Sequence, residues 1–132
     1  MPEKKTLDRA RRARRRGKAP TTQAGEFVRE EIEHVREGKH GARSAKQAIA
    51  IGLSKARRAG VPLRPPRAGM SQKARRRAAR DYRAGQRGGV RPPSSRRSRA
   101  TLRALRREGR GAASRHALSK QAHATSRRKR RG

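Results

Sequence analysis

The side chains in this sequence that are best suited to chemistry are guanidinium groups, which bind phosphate. The 132 residues include 41 Lys and Arg, of which 32 are Arg, against 9 Asp and Glu, and the formal net charge is +32. Arginine presents a planar fork that can hold a phosphate through two hydrogen bonds, whereas lysine acts as a point charge. A genome rich in G and C would also produce an arginine excess, so the excess alone does not separate these causes. A chain this basic repels itself unless a polyanion neutralises it, and nucleic acid is therefore the expected partner.

The positive charge is concentrated towards the two ends of the chain. Residues 1–20 carry a net charge of +7 and residues 21–60 carry +3, whereas residues 61–132 carry +22. Clustered basic side chains are the expected phosphate contacts. The predicted nucleic-acid-binding residues are Arg11, Arg12, Arg14, Arg15, Arg16, Arg75, Arg76, Arg77, Arg96, Arg97, Arg106, Arg107, Arg127, Arg128, Lys129, Arg130 and Arg131.

The sequence offers no arrangement of residues that supports catalysis. Asp81 and Glu108 stand alone among arginines, where local ion pairing is their expected role. The histidines do not show the close spacing of a metal site, so neither a metal nor a cofactor is predicted. We therefore expect a protein that is not an enzyme and has no small-molecule substrate. The histidines are His34, His40, His116 and His123.

Residues 21–63 are the part of the chain whose pattern predicts a folded unit. Two helical patterns meet there across a glycine-bearing turn, as in an αα-hairpin. The first helix is expected to take Thr21 or Thr22 as its N-cap and to stop at Gly38. The predicted hairpin core consists of Phe27, Val28, Ile32, Val35, Ile49 and Leu53.

The second helix of this hairpin has a clear start and an inner face of small residues. Ser44 and Gln47 have the spacing of a capping box. Ala48, Gly52 and Ala56 follow at four-residue steps and would let the two helix backbones approach closely. The hairpin contains too few large apolar side chains to be stable alone, so we expect folding on binding, a partner, or a homodimer formed through its apolar face.

A stripe of glutamates lies on the other side of the first helix. Such a stripe is expected to be solvated, with some pairing to neighbouring arginines. The alternative is that the N-terminal arm, whose predicted helix is capped by Thr6, lies along the stripe and is masked there. The glutamates of the stripe are Glu26, Glu30, Glu33 and Glu37.

The remaining segments are predicted to be basic arms. Residues 1–20 form an N-terminal arm, and residues 64–132 form an arginine-rich C-terminal arm with short helices that open at Ser71, Ser98 and Ser114. Such short, self-repelling helices are expected to be disordered when free and partly helical when bound to phosphate. The predicted fold class is therefore α: a small αα-hairpin with long basic arms that are largely disordered or conditionally helical.

The sequence lacks the features of an exported or membrane-bound protein. It has no cysteine, no apolar run of membrane-spanning length and no apolar segment near its N-terminus that would suit a signal peptide. We therefore expect no membrane partner, and a cytoplasmic location within the nucleoid.

Residues 44–60, SAKQAIAIGLSKARRAG, resemble the signature of a small bacterial family known as a domain of unknown function. Its core pattern is KQAIAI-x-LS-x-AR-x-AG, and an upstream helix ends in a GK-containing segment, here within His34 to His40. Residues 113–122 are similar to a segment of longer members, and basic extensions are common in the family. The resemblance implies a bacterial, cytoplasmic source and a DNA-associated role, without catalytic residues to carry over.

Together these observations predict a nucleoid-associated, histone-like protein that binds duplex DNA with little sequence preference by neutralising phosphates. Duplex DNA is favoured over RNA, because one Phe and one Tyr give no stacking platform for single strands. One alternative is an RNA- or ribosome-associated basic protein. The other is an interaction module whose hairpin docks a DNA-processing partner.

Overall fold

The computed structural model describes residues 2–88 and 95–131, and helices are the only regular secondary structure in these ranges. The predicted α class is therefore confirmed. Whether the arms are disordered without a partner stays a prediction, and so does the division into residues 1–20, 21–63 and 64–132. The helices are α1 (Lys4–Arg15), α2 (Pro20–Arg36), α3 (Ala45–Arg58), α4 (Gln72–Gln86), α5 (Ser95–Arg106) and α6 (Arg115–Arg131), with a 3₁₀ turn at Gly111–Ala113.

Three of the predicted helix starts are confirmed by side-chain caps. At the start of α3 the Gln47 N–H donates to Ser44 Oγ at 3.1 Å, and the Arg43 N–H donates to Gln47 Oε1 at 2.6 Å. The hydroxyls of Ser71 and Ser114 each accept from the backbone N–H three residues later, at 3.1 Å in both cases. These bonds satisfy N–H groups that the first turn leaves without a helical partner.

Three other predicted starts are wrong. Thr21 and Thr22 lie inside α2, which begins at Pro20, because proline is already shaped for the first helical position and needs no N–H there. Thr6 lies inside α1 and is buried, and Ser98 lies inside α5, which begins three residues earlier. The N-cap of α1 is Glu3, whose side chain makes no capping bond, so no hydroxyl marks that start in the sequence.

The described residues divide into two compact units, of which the first comprises residues 2–30 and 51–88. Its apolar cluster draws small side chains from α1, α2 and α3, and Phe27 is 1% exposed within it. Val61 and Leu63 fold back onto this cluster from the segment after α3. The cluster contains Ala10, Ala24, Phe27, Ala56 and Val61, with Leu7, Leu53 and Leu63 packed against it.

The second unit comprises residues 31–50 and 95–131 and has a smaller cluster of its own. Val35 is fully buried there, Ile32 is half-buried against the cluster, and Ile49 is half-buried. The loop between α2 and α3 is fixed by the backbone, since the Gly41 N–H donates to Leu105 O at 2.7 Å. The cluster contains Val35, Ala42, Ala48 and Ala113, with Ile32 and Ala112 packed against it.

In the first unit, α2 and α3 approach so closely at one point that a side chain is excluded. A Cβ built on Gly52 would lie 2.6 Å from the Cα of Val28 and 2.9 Å from its backbone nitrogen. The prediction that small residues allow close backbone approach is confirmed at Gly52. Val28 is itself half-buried at this contact.

The glutamate stripe on α2 is not the solvated face that the sequence indicates. Glu30 is 3% exposed, and its Oε1 accepts hydrogen bonds from the Glu3 N–H at 2.6 Å and from the Thr6 hydroxyl at 3.2 Å. The solvated interpretation is therefore wrong at Glu30. The N-terminal arm does contact the stripe there, but through two neutral donors rather than through arginine. Buried carboxylates are retained where hydrogen bonds offset their lost hydration.

No helix within the described ranges is both long enough and apolar enough to cross a membrane.

We predict that Gly52→Ala destabilises the protein although alanine favours helix, because its Cβ has to displace the backbone of Val28. The expected loss is about 1–3 kcal/mol in the free energy of unfolding, measured by urea denaturation. Gly25→Ala is the matched control, since Gly25 also lies within a helix but has no neighbour within 4 Å of its Cβ position. It is expected to stabilise by up to about 1 kcal/mol. Equal effects of the two changes would contradict the close approach.

Candidate nucleic-acid interface

The arginines predicted as phosphate contacts in the N-terminal arm lie on α1 or directly after it. Thr6 and Ala10 are the buried residues of this helix, and the arginines are exposed. Lys5 and Arg9 are exposed as well and share a helical face with Arg12. The sequence prediction left them out because it followed the densest run of arginines rather than the helical period. The predicted residues that the structure places in solvent here are Arg11, Arg12, Arg14, Arg15 and Arg16.

Helix α4 separates its charged and buried residues onto opposite faces. Ala78, Asp81 and Gly85 are buried at steps of three and four residues. At about 100° per residue, the exposed arginines that recur with the same period point away from that face. We call them the α4 basic stripe; its members are Arg76, Arg80, Arg83 and Arg87. Of these only Arg76 was predicted, and the exposed Arg75 and Arg77 flank the stripe.

The orientation of α4 is set by contacts of its buried face. Asp81 is 2% exposed and accepts from the Ser54 hydroxyl at 2.7 Å and from Arg58 Nε at 2.8 Å. A Cβ on Gly85 would collide with the backbone oxygen of Arg57, so the helix packs there backbone to backbone. Asp81 forms an ion pair, as predicted, but with Arg58 of α3, 23 positions away, rather than with an arginine near it in the sequence. These contacts direct the α4 basic stripe into solvent.

Arg57, unlike the arginines described above, is buried. Its Nε donates to the carbonyl oxygen of Leu63 at 2.9 Å. Burial lowers the pKa of the Arg57 guanidinium from its ordinary value, and the carboxylate of Asp81 raises it. An arginine remains protonated in proteins despite such shifts. Arg57 therefore contributes a fixed internal charge that holds the segment after α3.

The second unit carries its own set of exposed arginines. Those of α5 and the residue after it are exposed, including Arg99 and Arg103, which share the helical period and were not predicted. The backbone of α6 is helical to Arg131, but the side chains of residues 127–131 lie outside what the structure describes, so those five predicted contacts stay predictions. The predicted residues placed in solvent here are Arg96, Arg97, Arg106 and Arg107.

A cleft in the second unit brings together arginines that are distant in sequence. Arg36 Nε donates to Ala113 O at 3.0 Å, and Arg110 NH1 lies 3.5 Å from Arg36 O. Arg115 and Ser114 also line the cleft. Sequence reasoning missed this grouping, because no local pattern links the end of α2 to the start of α6.

The aromatic side chains are not arranged for base stacking. The sequence has one Phe and one Tyr. Phe27 is buried in the apolar cluster of the first unit, and Tyr82 is half-buried on α4. Proteins that bind single strands without sequence preference stack bases on exposed aromatic rings. The described residues instead expose many guanidinium groups. Phe27 is also already covered within one chain, while the expected homodimer stays a prediction.

Three titratable side chains meet inside the second unit. Glu31 is fully buried, and its Oε2 lies 3.2 Å from His40 Nε2 while its Oε1 lies 4.0 Å from His34 Nδ1. The two imidazole rings are edge to face, with centroids 6.0 Å apart. The prediction of no metal ligands considered the spacing among histidines alone. The signal that it left out is the Glu31-x-x-His34 spacing, which places a carboxylate and an imidazole one helical turn apart.

None of the comparisons with family models, curated proteins and solved structures finds a match to this chain. The resemblance of residues 44–60 to a bacterial domain family therefore stays a prediction.

We predict that Asp81→Asn destabilises the protein, because the Arg58 guanidinium loses its buried partner at nearly unchanged shape. Arg58 is almost half exposed, so the expected loss is about 1–3 kcal/mol rather than the larger cost of a fully buried pair. Urea denaturation measures it. Glu108→Gln is the control: it also removes one carboxylate, but an exposed one, and should leave the free energy of unfolding nearly unchanged. Equal losses in the two variants would show that net charge, not the ion pair, is responsible.

Proposed function

We propose that this protein binds duplex DNA without sequence preference, in the manner of a histone-like, nucleoid-associated protein. The observation that carries the proposal is the α4 basic stripe, whose arginines are exposed on the side of the helix opposite the buried Asp81. A helix presented in this way suits phosphate contact, and the rest of the charge adds to the attraction. Phosphate neutralisation releases counterions and needs no base contact.

In this proposal the segments of the chain have different roles. Helices α2 and α3 act as a helical hairpin that serves as the scaffold. The basic arms, residues 1–20 and 64–132, supply the phosphate contacts and gain helix when DNA neutralises them. Each unit is basic by itself: residues 2–30 and 51–88 hold 22 Lys and Arg against 5 Asp and Glu, and residues 31–50 and 95–131 hold 18 against 4. Each would therefore be attracted to a polyanion independently.

The absence of an exposed stacking ring favours a duplex over a single strand as the ligand. Phe27 is buried and Tyr82 is half-buried, so bases have no aromatic platform. Competition at fixed salt between a DNA duplex, an RNA duplex and single-stranded RNA of equal length tests this preference. The DNA duplex is expected to compete best. Preference for either RNA would favour the alternative of an RNA- or ribosome-associated protein.

The salt dependence of DNA binding tests the mechanism. If 6–10 phosphates are neutralised, affinity should fall about 10³–10⁵-fold between roughly 50 and 200 mM salt. Fluorescence anisotropy with a labelled duplex measures it across a salt series. An affinity that does not change with salt would contradict binding through phosphates, and it would favour the alternative in which the hairpin docks a protein partner.

Paired substitutions separate the α4 basic stripe from net charge alone. Arg80→Gln with Arg83→Gln is expected to lower the slope of log affinity against log salt by about 2, because each lost phosphate contact removes about one. Arg43→Gln with Lys46→Gln removes the same charge from exposed positions outside the stripe and should change the slope by less than about 0.5. Equal changes in both pairs would contradict a defined binding face.

A further inference from the structure

The Glu31, His34 and His40 cluster has the composition and geometry of a metal site. One ligand atom from each residue lies within 4.8 Å of the other two. All three are sheltered from solvent: Glu31 is 0%, His40 is 7% and His34 is 15% exposed at the side chain. Two imidazoles with one carboxylate form one of the donor sets that proteins use for Zn²⁺.

The hydrogen bond made by Nδ1 of His40 determines that the other ring nitrogen, Nε2, faces the Glu31 carboxylate with a lone pair. Its Nδ1 lies 2.9 Å from the carbonyl oxygen of Gly41. A carbonyl oxygen only accepts, so Nδ1 carries the hydrogen. In the neutral ring Nε2 then has a free lone pair, and it is Nε2 that lies 3.2 Å from Glu31 Oε2. Metal-binding histidines are oriented by a bond of this kind from the second nitrogen.

The close contact of Glu31 and His40 can be bridged by a proton or by a metal ion, since a carboxylate oxygen and an imidazole nitrogen bind either. The third donor favours the metal ion. Nδ1 of His34 lies 4.0 Å from the other oxygen of Glu31, and a divalent cation can take one donor atom from all three side chains, whereas a proton joins only two.

We propose that these three residues bind one Zn²⁺, with water as the fourth ligand. Zn²⁺ binds imidazole nitrogen at about 2.0–2.1 Å, and ligand atoms of such a tetrahedron lie roughly 3.3–3.5 Å apart. The separation of His40 Nε2 and Glu31 Oε2 already fits, and the remaining separations among the three donor atoms, which are within 4.8 Å, would have to shorten by up to roughly 1.5 Å.

The ion would act as a structural clamp in the second unit. It would join the last turns of α2 to the loop that carries His40. That loop is held by backbone bonds, with the Gly41 N–H donating to Leu105 O and the Ala42 N–H donating to Gly109 O at 3.1 Å. Metal binding to the folded state stabilises it by mass action. The site therefore couples zinc to the stability of the unit that carries α5 and α6.

Titration of the chelator-treated full-length chain with zinc chloride tests the proposal in the absence of DNA. Calorimetry should give a stoichiometry of one, and a free zinc concentration of 100 times the dissociation constant should raise the unfolding midpoint by about 10 °C. Amide exchange at Gly41 and Ala42 should become slower with zinc. Cobalt in place of zinc should show the strong visible absorption of a four-coordinate ion.

Substitutions locate the site. His40→Ala and His34→Ala should each weaken zinc binding at least 100-fold, whereas His123→Ala, at an exposed histidine of α6, should leave it unchanged. Circular dichroism in the presence of chelator checks that each variant folds. If His40→Ala does not fold, His34→Ala, at a partly exposed residue, still tests the site. No saturable binding at millimolar zinc would mean a proton-bridged pair and would overturn the proposal. Unchanged affinity in the His34 variant, or equal loss in the His123 variant, would overturn it too.

Discussion

The fold depends on backbone meeting backbone at glycine, because the chain has few large side chains with which to build a core. Hydrophobic residues make up 30% of the sequence and aromatic residues 2%. In the first unit a Cβ at Gly52 would collide with Val28, and one at Gly85 with the carbonyl of Arg57. In the second unit a Cβ at Gly41 would collide with the carbonyl of Glu108. Close approach of this kind lets alanines fill the clusters and compensates for missing bulk.

Buried carboxylates are the second means by which this basic chain holds its helices in place. Glu30 accepts from Thr6 of α1, Asp81 accepts from Ser54 and Arg58 of α3, and Glu31 faces two histidines. Glu30 and Asp81 are each offset by donors or cations at short distance, as burial of charge requires. The acidic residues thus position helices, and the arginines are left on outward faces. Although acidic residues are few in this chain, the buried ones help to determine how its helices pack.

The sequence was sufficient where a local rule decides the outcome. The helical class follows from periodicity, and the caps at Ser44, Ser71 and Ser114 follow from spacing to an N–H three residues on. The close approach at Gly52 follows from small residues at helical steps. The sequence was insufficient where a residue distant in the chain decides how a side chain is placed. Glu30 looks like part of a solvated stripe until Thr6 is seen to donate to it.

The same distinction applies to the candidate sites. Clusters of arginine identify the basic helices, but the face that each helix presents depends on what its other face buries. The burial of Asp81 and Gly85 on the opposite face of α4, which the sequence does not reveal, determines which arginines form the α4 basic stripe. In the candidate metal site, Glu31 and His34 lie on α2, whereas His40 lies in the loop that follows. The spacing of the histidines alone does not indicate that a carboxylate lies beside them.

We propose that arginines of a defined helical face contact DNA phosphates. Modification of the full-length chain with an arginine-selective dicarbonyl reagent, with and without a DNA duplex and read by mass spectrometry, tests it most directly. If the α4 basic stripe contacts phosphates, DNA should protect Arg76, Arg80, Arg83 and Arg87 strongly and the exposed Arg43 little. Uniform protection of all exposed arginines, or protection that spares the α4 basic stripe, would contradict it.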